Sequence, residues 1–160
     1  MNKIKKLAFA TDHTAVGIRD EIIKYLKEMD YEIEEFILCK NKNYDYPDYA
    51  YKVAYAVVNR TVDKGILICG TGIGMSIAAN KIRGIIAAVC WNENIAKLAS
   101  QHNNANILCL GSRINSVSEI CCMIKIFLSS FFEKRHTFRI KKIRDIEKQE
   151  YGKIGNNIVV

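Results

Sequence analysis

Short apolar runs recur along the chain, with amphipathic stretches between them. Leu7-Ala8-Phe9-Ala10 reads as a buried strand, and residues 16–29 place Ile18, Ile22, Tyr25 and Leu26 at helical spacing. Residues 31–38 alternate as a strand does, and Asn41-Lys42-Asn43 reads as the connecting loop. Pro47, the only proline, suits the first turn of a helix running through Tyr51 and Val57. The cycle then repeats: a strand over 65–68, a glycine-rich loop and a helix opening over 76–81, a strand over 85–90 and a helix over 92–101, a strand over 107–110 and a helix over 117–130.

Parallel strands need crossover connections, and short strands that are apolar throughout are buried on both sides. The alternation therefore predicts an α/β fold: one doubly wound, Rossmann-like parallel sheet of five strands, helices on both faces and a helix at the C-terminus. Residues 1–150 read as one domain and 151–160 as a loose tail. Ligands of such sheets bind beyond the carboxyl ends of the strands. Asp12 and His13, the run from Cys69 to Gly74, and Arg113 all follow strands, so the topology predicts a common location for them.

The formal charge is +7, and much of the excess comes from the two ends, around Lys3 to Lys6 and from Lys134 to Arg144. On composition alone the basic tail reads as a solvated helix, a phosphate clamp or a nucleic-acid patch. Six cysteines lack paired CxxC spacing, so neither a zinc site nor a disulfide framework is indicated. The apolar segment behind the basic N-terminus is only four residues long before it meets Asp12, too short for a signal peptide or a membrane span. A reducing cytoplasm is the expected setting, with no membrane partner.

Ile68-Cys69-Gly70-Thr71-Gly72-Ile73-Gly74-Met75-Ser76 is the most informative stretch. It sets a thiol at the end of an apolar strand, against three glycines in five positions that let the backbone turn sharply and approach a ligand. N–H groups at the start of the following helix have no intrahelical partner. A thiol so placed suits proton transfer near neutral pH, whereas Cys69 alone would read as a small buried hydrophobe. The glycines follow the third strand rather than the first and lack a Gly-Lys-Ser/Thr ending, so a small phosphorylated ligand is favoured over a nucleotide.

The chain resembles ribose-5-phosphate isomerase type B, of the family that also holds the isomerases of galactose 6-phosphate and allose 6-phosphate. The matching pieces occur in family order over residues 5–147: Asp12-His13, the run from Asp45 to Ala50, the block from Gly65 to Lys81, Gln101-His102-Asn103, Leu110-Gly111-Ser112-Arg113, and Arg135-His136 with Arg139. The resemblance implies an aldose-ketose isomerase, an intramolecular oxidoreductase. It would interconvert ribose 5-phosphate and ribulose 5-phosphate through an enediolate, in the pentose phosphate pathway, without metal or organic cofactor. Cys69 matches the base that moves a proton between C2 and C1. The Gly70, Gly72, Ile73 and Gly74 loop would hold the developing oxyanion, with the Thr71 hydroxyl beside it. His102 matches the acid/base that opens the furanose ring, entering from a neighbouring subunit; a homodimer with a shared site is implied, and its pairing into tetramers is left open. Taken alone, His102 would read as a capping or surface histidine.

By the same resemblance Asp12 assists ring opening or orients a neighbour. His13, Arg113, Arg135 and Arg139 hold phosphate and hydroxyls, and Asn103 and Tyr46 are further substrate contacts. Arg135 and Arg139, four apart, would share a helix face, with Lys141, Lys142 and Arg144 as ordinary solvent-facing charges. Four departures stand out. Thr14-Ala15 replace a small residue and glycine, and Ile86 replaces an arginine. Trp91-Asn92-Glu93-Asn94 differs from the usual run, and Glu133-Lys134 stands where the family has a pair of glycines, which bears on how Arg135 reaches the phosphate. The alternatives are an isomerase of a six-carbon sugar phosphate and a non-catalytic module binding a phosphate ligand or nucleic acid.

Overall fold

The computed structural model describes residues 5–37 and 45–154. Among them the strands β1 (Lys6–Thr11), β2 (Glu32–Glu35), β3 (Lys64–Cys69), β4 (Ala87–Val89) and β5 (Ile107–Gly111) form one sheet in the order β2-β1-β3-β5-β4. Every pairing is parallel. The helices are α1 (Val16–Glu28), α2 (Tyr46–Val58), α3 (Ile73–Ala79), α4 (Glu93–Gln101), α5 (Val117–Ser129) and α6 (Thr137–Ile154), the last preceded by a 3-10 turn over Lys134–His136.

Alternate side chains of the apolar strands supply two cores, one on each face. Leu7, Phe9, Ile66, Ile68, Leu108 and Leu110 pack with Ile22 and Leu26 of α1, Ala96 and Ala99 of α4, and Ile120, Ile124 and Phe127 of α5. Ala8, Ala10, Leu67, Cys69, Ile107 and Cys109 face Val53, Ala54 and Val57 of α2 and Met75 and Ala79 of α3. The expected doubly wound sheet is what forms, and Cys69 belongs to the α2/α3 side.

Element ends differ from the expectation where side chains replace the backbone ladder. β4 is three residues rather than six: the Ile86 N–H donates to Asn106 Oδ1 at 2.8 Å and the Ile85 N–H to the Ile82 carbonyl at 3.1 Å. The open side of β4 is covered by Asn80, whose amide both accepts from the Ala87 N–H and donates to its carbonyl, each at 2.8 Å. β2 is an edge strand of four residues, and α3 begins at Ile73 rather than Ser76. Leu38, Cys39 and the Asn41-Lys42-Asn43 loop lie outside the described residues. α6 is helical through residues 151–154 of the expected tail, and 155–160 lie outside the described residues.

Caps and turns set the helix ends. Asp45 and Asp48 form a capping box on α2, with Pro47 in its first turn. α2 ends in a reciprocal pair of turn bonds, Thr61 N–H to the Ala56 carbonyl (3.1 Å) and Arg60 N–H to the Val57 carbonyl (3.2 Å), with Arg60 left-handed at φ 60°. The descent of α4 brings Ser100, buried, against the start of β3. Its hydroxyl accepts from Lys64 Nζ at 3.2 Å and donates to the Ser130 carbonyl at 2.8 Å.

Lys64 Nζ also lies 3.9 Å from the centroid of the Phe127 ring, and burial pulls the ammonium down from 10.5 to about 8. Between pH 8 and 10.5 the unfolded chain binds the extra proton, so this residue's contribution to stability rises with pH across that window; below pH 8 the full burial penalty is present. Lys64→Met is therefore expected to be more stable than wild type at pH 7, by an amount on the order of 2–3 kcal/mol, with the gap closing towards pH 10.5. Chemical denaturation at several pH values checks this, and a gap that stays constant from pH 7 to 10.5 would refute it.

Candidate active site

At the carboxyl end of the sheet the chain bends directly after Cys69. Gly72 is left-handed at φ 77°, and a Cβ there would stand 3.1 Å from the backbone of Cys109 and Leu110, so only glycine fits. The bend turns the Gly72 N–H back onto Cys69 Sγ, at 3.1 Å, and the Thr71 hydroxyl accepts from the Ile73 N–H at 3.3 Å. The end of β5 fastens this loop: the Ser112 N–H donates to the Cys69 carbonyl (2.8 Å) and the Arg113 N–H to the Gly70 carbonyl (3.0 Å). The Arg113 side chain lies across Gly70, and the Tyr46 ring at the start of α2 lies against Gly74.

The first strand supplies the remaining wall. The Asp12 N–H donates to the Ile68 carbonyl at 3.1 Å, placing the end of β1 beside that of β3. Asp12 is buried, and its carboxylate accepts from the Thr14 N–H (2.9 Å) and hydroxyl (2.5 Å) rather than capping α1, whose N-cap residue is Ala15. The Ser112 hydroxyl donates to the Thr14 carbonyl at 3.2 Å, tying this loop to β5. His13, next to it, is exposed. The structure thus brings together Asp12, His13, Tyr46, Cys69, Gly70, Thr71, Gly72, Ile73, Gly74 and Arg113.

The other expected residues gather elsewhere. α4 runs back along the sheet, so His102 at its end lies near Ser100 and Lys64, at the edge where β3 begins. β3 runs six residues from Lys64 to Cys69, a span of about 17 Å at roughly 3.3 Å per residue. Here Arg135 Nη2 donates to His102 Nε2 at 3.3 Å, and the His102 ring lies against that of His136, centroids 4.2 Å apart. Arg139 Nη1 sits 3.4 Å from His136 Nδ1, and exposed Asn103 directly follows His102. Arg135 lies in the 3-10 turn and Arg139 in α6, so they do not share one α-helix, yet both reach the histidine pair.

Glu133 organises this second cluster. Its N–H donates to the Gln101 carbonyl at 2.8 Å, and its Oε2 accepts from Arg135 Nε at 2.6 Å and stands 3.8 Å and 4.0 Å from the Nε2 atoms of His136 and His102. The Arg135 hydrogen bond, joined by the nearby cationic charges, holds the Glu133 carboxyl below its ordinary range. Burial, then the surrounding cations, lowers His136, which favours the neutral ring. His102, Glu133 and His136 bring three possible metal-ligand atoms within 4.8 Å of one another, but Arg135 already donates to two of them.

Sequence reasoning gives no role to Ser112, Thr14, Glu133 or His136. Glu133 stands out only as a departure from the family glycines, and His136 only as the neighbour of Arg135. The remaining described cysteines are free: burial pushes the Cys90 thiol up to about 12 and Cys109 well above its usual value, while Cys122 is exposed.

With this geometry established, comparison with known proteins is specific. The profile of the Ribose/Galactose Isomerase family matches residues 7–143. Ribose-5-phosphate isomerase B of Escherichia coli is 41% identical over 147 residues, spanning 91% of this chain and 99% of that protein. The structure of the Clostridium thermocellum ribose-5-phosphate isomerase B superposes with a TM-score of 0.85 at 42% identity, covering 91% of this chain and 99% of the other. That of the Mycoplasma genitalium enzyme with bound ribulose-5-phosphate gives 0.83 at 41% identity, covering 92% and 99%.

The Glu133–Arg135 pair competes with any phosphate for the guanidinium. Glu133→Gly is expected to tighten the binding of inorganic phosphate roughly twofold to fivefold, the range of an exposed ion pair. Titration calorimetry on both proteins measures it; unchanged or weaker binding would show that the pair does not restrain Arg135.

Proposed function

The chain belongs to the ribose/galactose isomerase family, and from that premise we propose that it interconverts ribose 5-phosphate and ribulose 5-phosphate. The observation that carries the reading is Cys69, set at the end of β3 with the Gly72 N–H on its sulfur and a glycine loop beside it. The Mycoplasma genitalium relative, solved with ribulose-5-phosphate bound, supports the five-carbon substrate.

The chemistry follows from the carbon acid. The Cys69 thiolate takes the proton from C2 of the open-chain aldose, the C–H electron pair becomes the C1–C2 double bond, and negative charge gathers on O1. Fixed N–H donors of the loop, with the Thr71 hydroxyl, stabilise that oxygen. The proton returns from sulfur to C1 while the O2 hydroxyl proton passes to O1, leaving a ketone at C2. Ring opening comes first: His102 moves a proton between the anomeric hydroxyl and the ring oxygen, with Asp12 assisting. His13, Arg113, Arg135 and Arg139 hold phosphate and hydroxyls, since planar guanidinium groups match phosphate oxygens, and Asn103 and Tyr46 complete the contacts.

Cys69 and His102 lie at opposite ends of one sheet, so a working site takes its histidine from a second copy of the chain. Exposed apolar side chains flank both half-sites: Ile73, Ile77, Trp91 and Ile114 around the Cys69 loop, and Phe131 and Phe138 around the histidine cluster. Such patches fit an interface between copies. Among the described residues no helix is long and apolar enough to cross a membrane, and the free thiols suit a reducing cytoplasm.

Cys69→Ala is expected to lower ribose 5-phosphate turnover by about 10²- to 10⁴-fold with the fold intact; full activity would refute the assignment of the base. Assays beside allose 6-phosphate and galactose 6-phosphate test the five-carbon preference. Cys69→Ala and His102→Ala proteins, each impaired alone, should recover roughly a quarter of wild-type turnover once mixed and allowed to exchange subunits. Half of the dimers are then mixed, and each mixed dimer holds one intact site. No recovery, with exchange verified by native mass spectrometry, would mean that the site is not shared.

A further inference from the structure

A second basic site lies away from both half-sites. Where α6 crosses the turn leading into β4, a cavity of about 510 Å³ opens between that turn, the end of α2 and α6, within the range of small-ligand sites. Arg60, Arg83, Arg144 and Lys148 line it, against the single carboxylate of Glu147. By sequence Arg144 reads as an ordinary solvent-facing charge; it is instead part of this wall.

The carboxylate is already engaged. Glu147 Oε1 accepts the Gly84 N–H at 2.7 Å, while its other oxygen stands 3.9 Å from Arg144 Nη1. Asn106 Nδ2 donates to the Gly84 carbonyl at 2.8 Å, so the turn is held on both its polar groups. Arg60, Arg83 and Lys148 have no ion-pair partner among the described residues, and Arg60 occupies a left-handed position at the end of α2 where glycine would sit without strain. Cations gathered around one concavity repel one another and are relieved by an anion of matching charge. Val57 and Val58 give the same cavity an apolar side.

We propose that this cavity binds a compact polyanion carrying two adjacent phosphoryl groups, at a site distinct from that of the sugar phosphate. One phosphoryl group would neutralise only part of the wall, and the volume leaves room for an attached organic group against the valines. The shared chemistry is a diphosphate, either inorganic pyrophosphate or the diphosphate of a nucleotide. The site stands independently of the isomerase reading, because none of its residues lies in either half-site.

The test uses the full chain with Arg113→Gln, Arg135→Gln and Arg139→Gln, which removes the guanidinium groups expected to hold substrate phosphate. Titration calorimetry in about 0.1 M salt with pyrophosphate and with ADP should show saturable one-to-one binding in that background. Adding Arg83→Gln and Arg144→Gln should weaken it at least about tenfold. Tighter binding of ADP would identify a nucleotide as the source, and tighter binding of pyrophosphate the inorganic ion. Arg60→Gly is the second variant: glycine suits its backbone, so it should melt no lower than wild type yet bind more weakly. Absence of saturable binding in the Arg113/Arg135/Arg139 background, or binding indifferent to Arg83, Arg144 and Arg60, overturns the proposal.

Discussion

The two hydrogen bonds from the end of β5 to the end of β3, Ser112 N–H to the Cys69 carbonyl and Arg113 N–H to the Gly70 carbonyl, are the constraint on which the carboxyl-end site depends. They hold the first residues past β3 in the plane of the sheet, so that the left-handed turn at Gly72 starts from a fixed base and directs its N–H at the sulfur. Gly111 makes this approach feasible: paired with Cys69 across the ladder, it would place a Cβ 2.9 Å from the Thr71 backbone. The same fastening carries Arg113 over Gly70 and, through Ser112 and Thr14, joins the Asp12 loop to the assembly. The carboxyl end of the sheet is therefore held by three strand ends tied to one another, not by any one loop.

The fold was legible because β1, β3, β4 and β5 are apolar on both faces and the helices are not. The Cys69 loop was legible for a related reason: three glycines in five positions directly after a buried strand mark a backbone that has to turn within a few residues and leave its N–H groups uncovered. Strand lengths were less so. Ile85 and Ile86 look like strand residues by composition, but Asn80 and Asn106 side chains take over hydrogen bonds that a longer ladder would have used. No local pattern announces that an asparagine will act at a distance of seven or twenty residues.

His102 shows a different limit. Its role comes from resemblance alone, since a histidine at a helix end is commonly a cap. Its position at the far edge of the sheet follows from a crossover helix running back to where the next strand begins, a rule already contained in the alternation of elements. Glu133, by sequence, is only a departure that bears on how Arg135 reaches the phosphate. The structure instead makes it the centre of a network linking Arg135 and both histidines, because the charge a glycine lacks finds partners brought from α4 and α6.

The separation of the two half-sites also has an electrostatic logic. In the proposed reaction an enediolate gathers negative charge near Cys69, where the loop offers N–H dipoles and Arg113 lies across Gly70, while the phosphate draws on the cations around His102. At the other end of the sheet the Arg135 and Arg139 guanidinium groups are partnered by Glu133 and His136, and in the proposed shared site they meet the thiol's surroundings when two copies associate. On that proposal assembly and substrate binding draw on the same charges, which would couple the formation of the interface to the completion of the site.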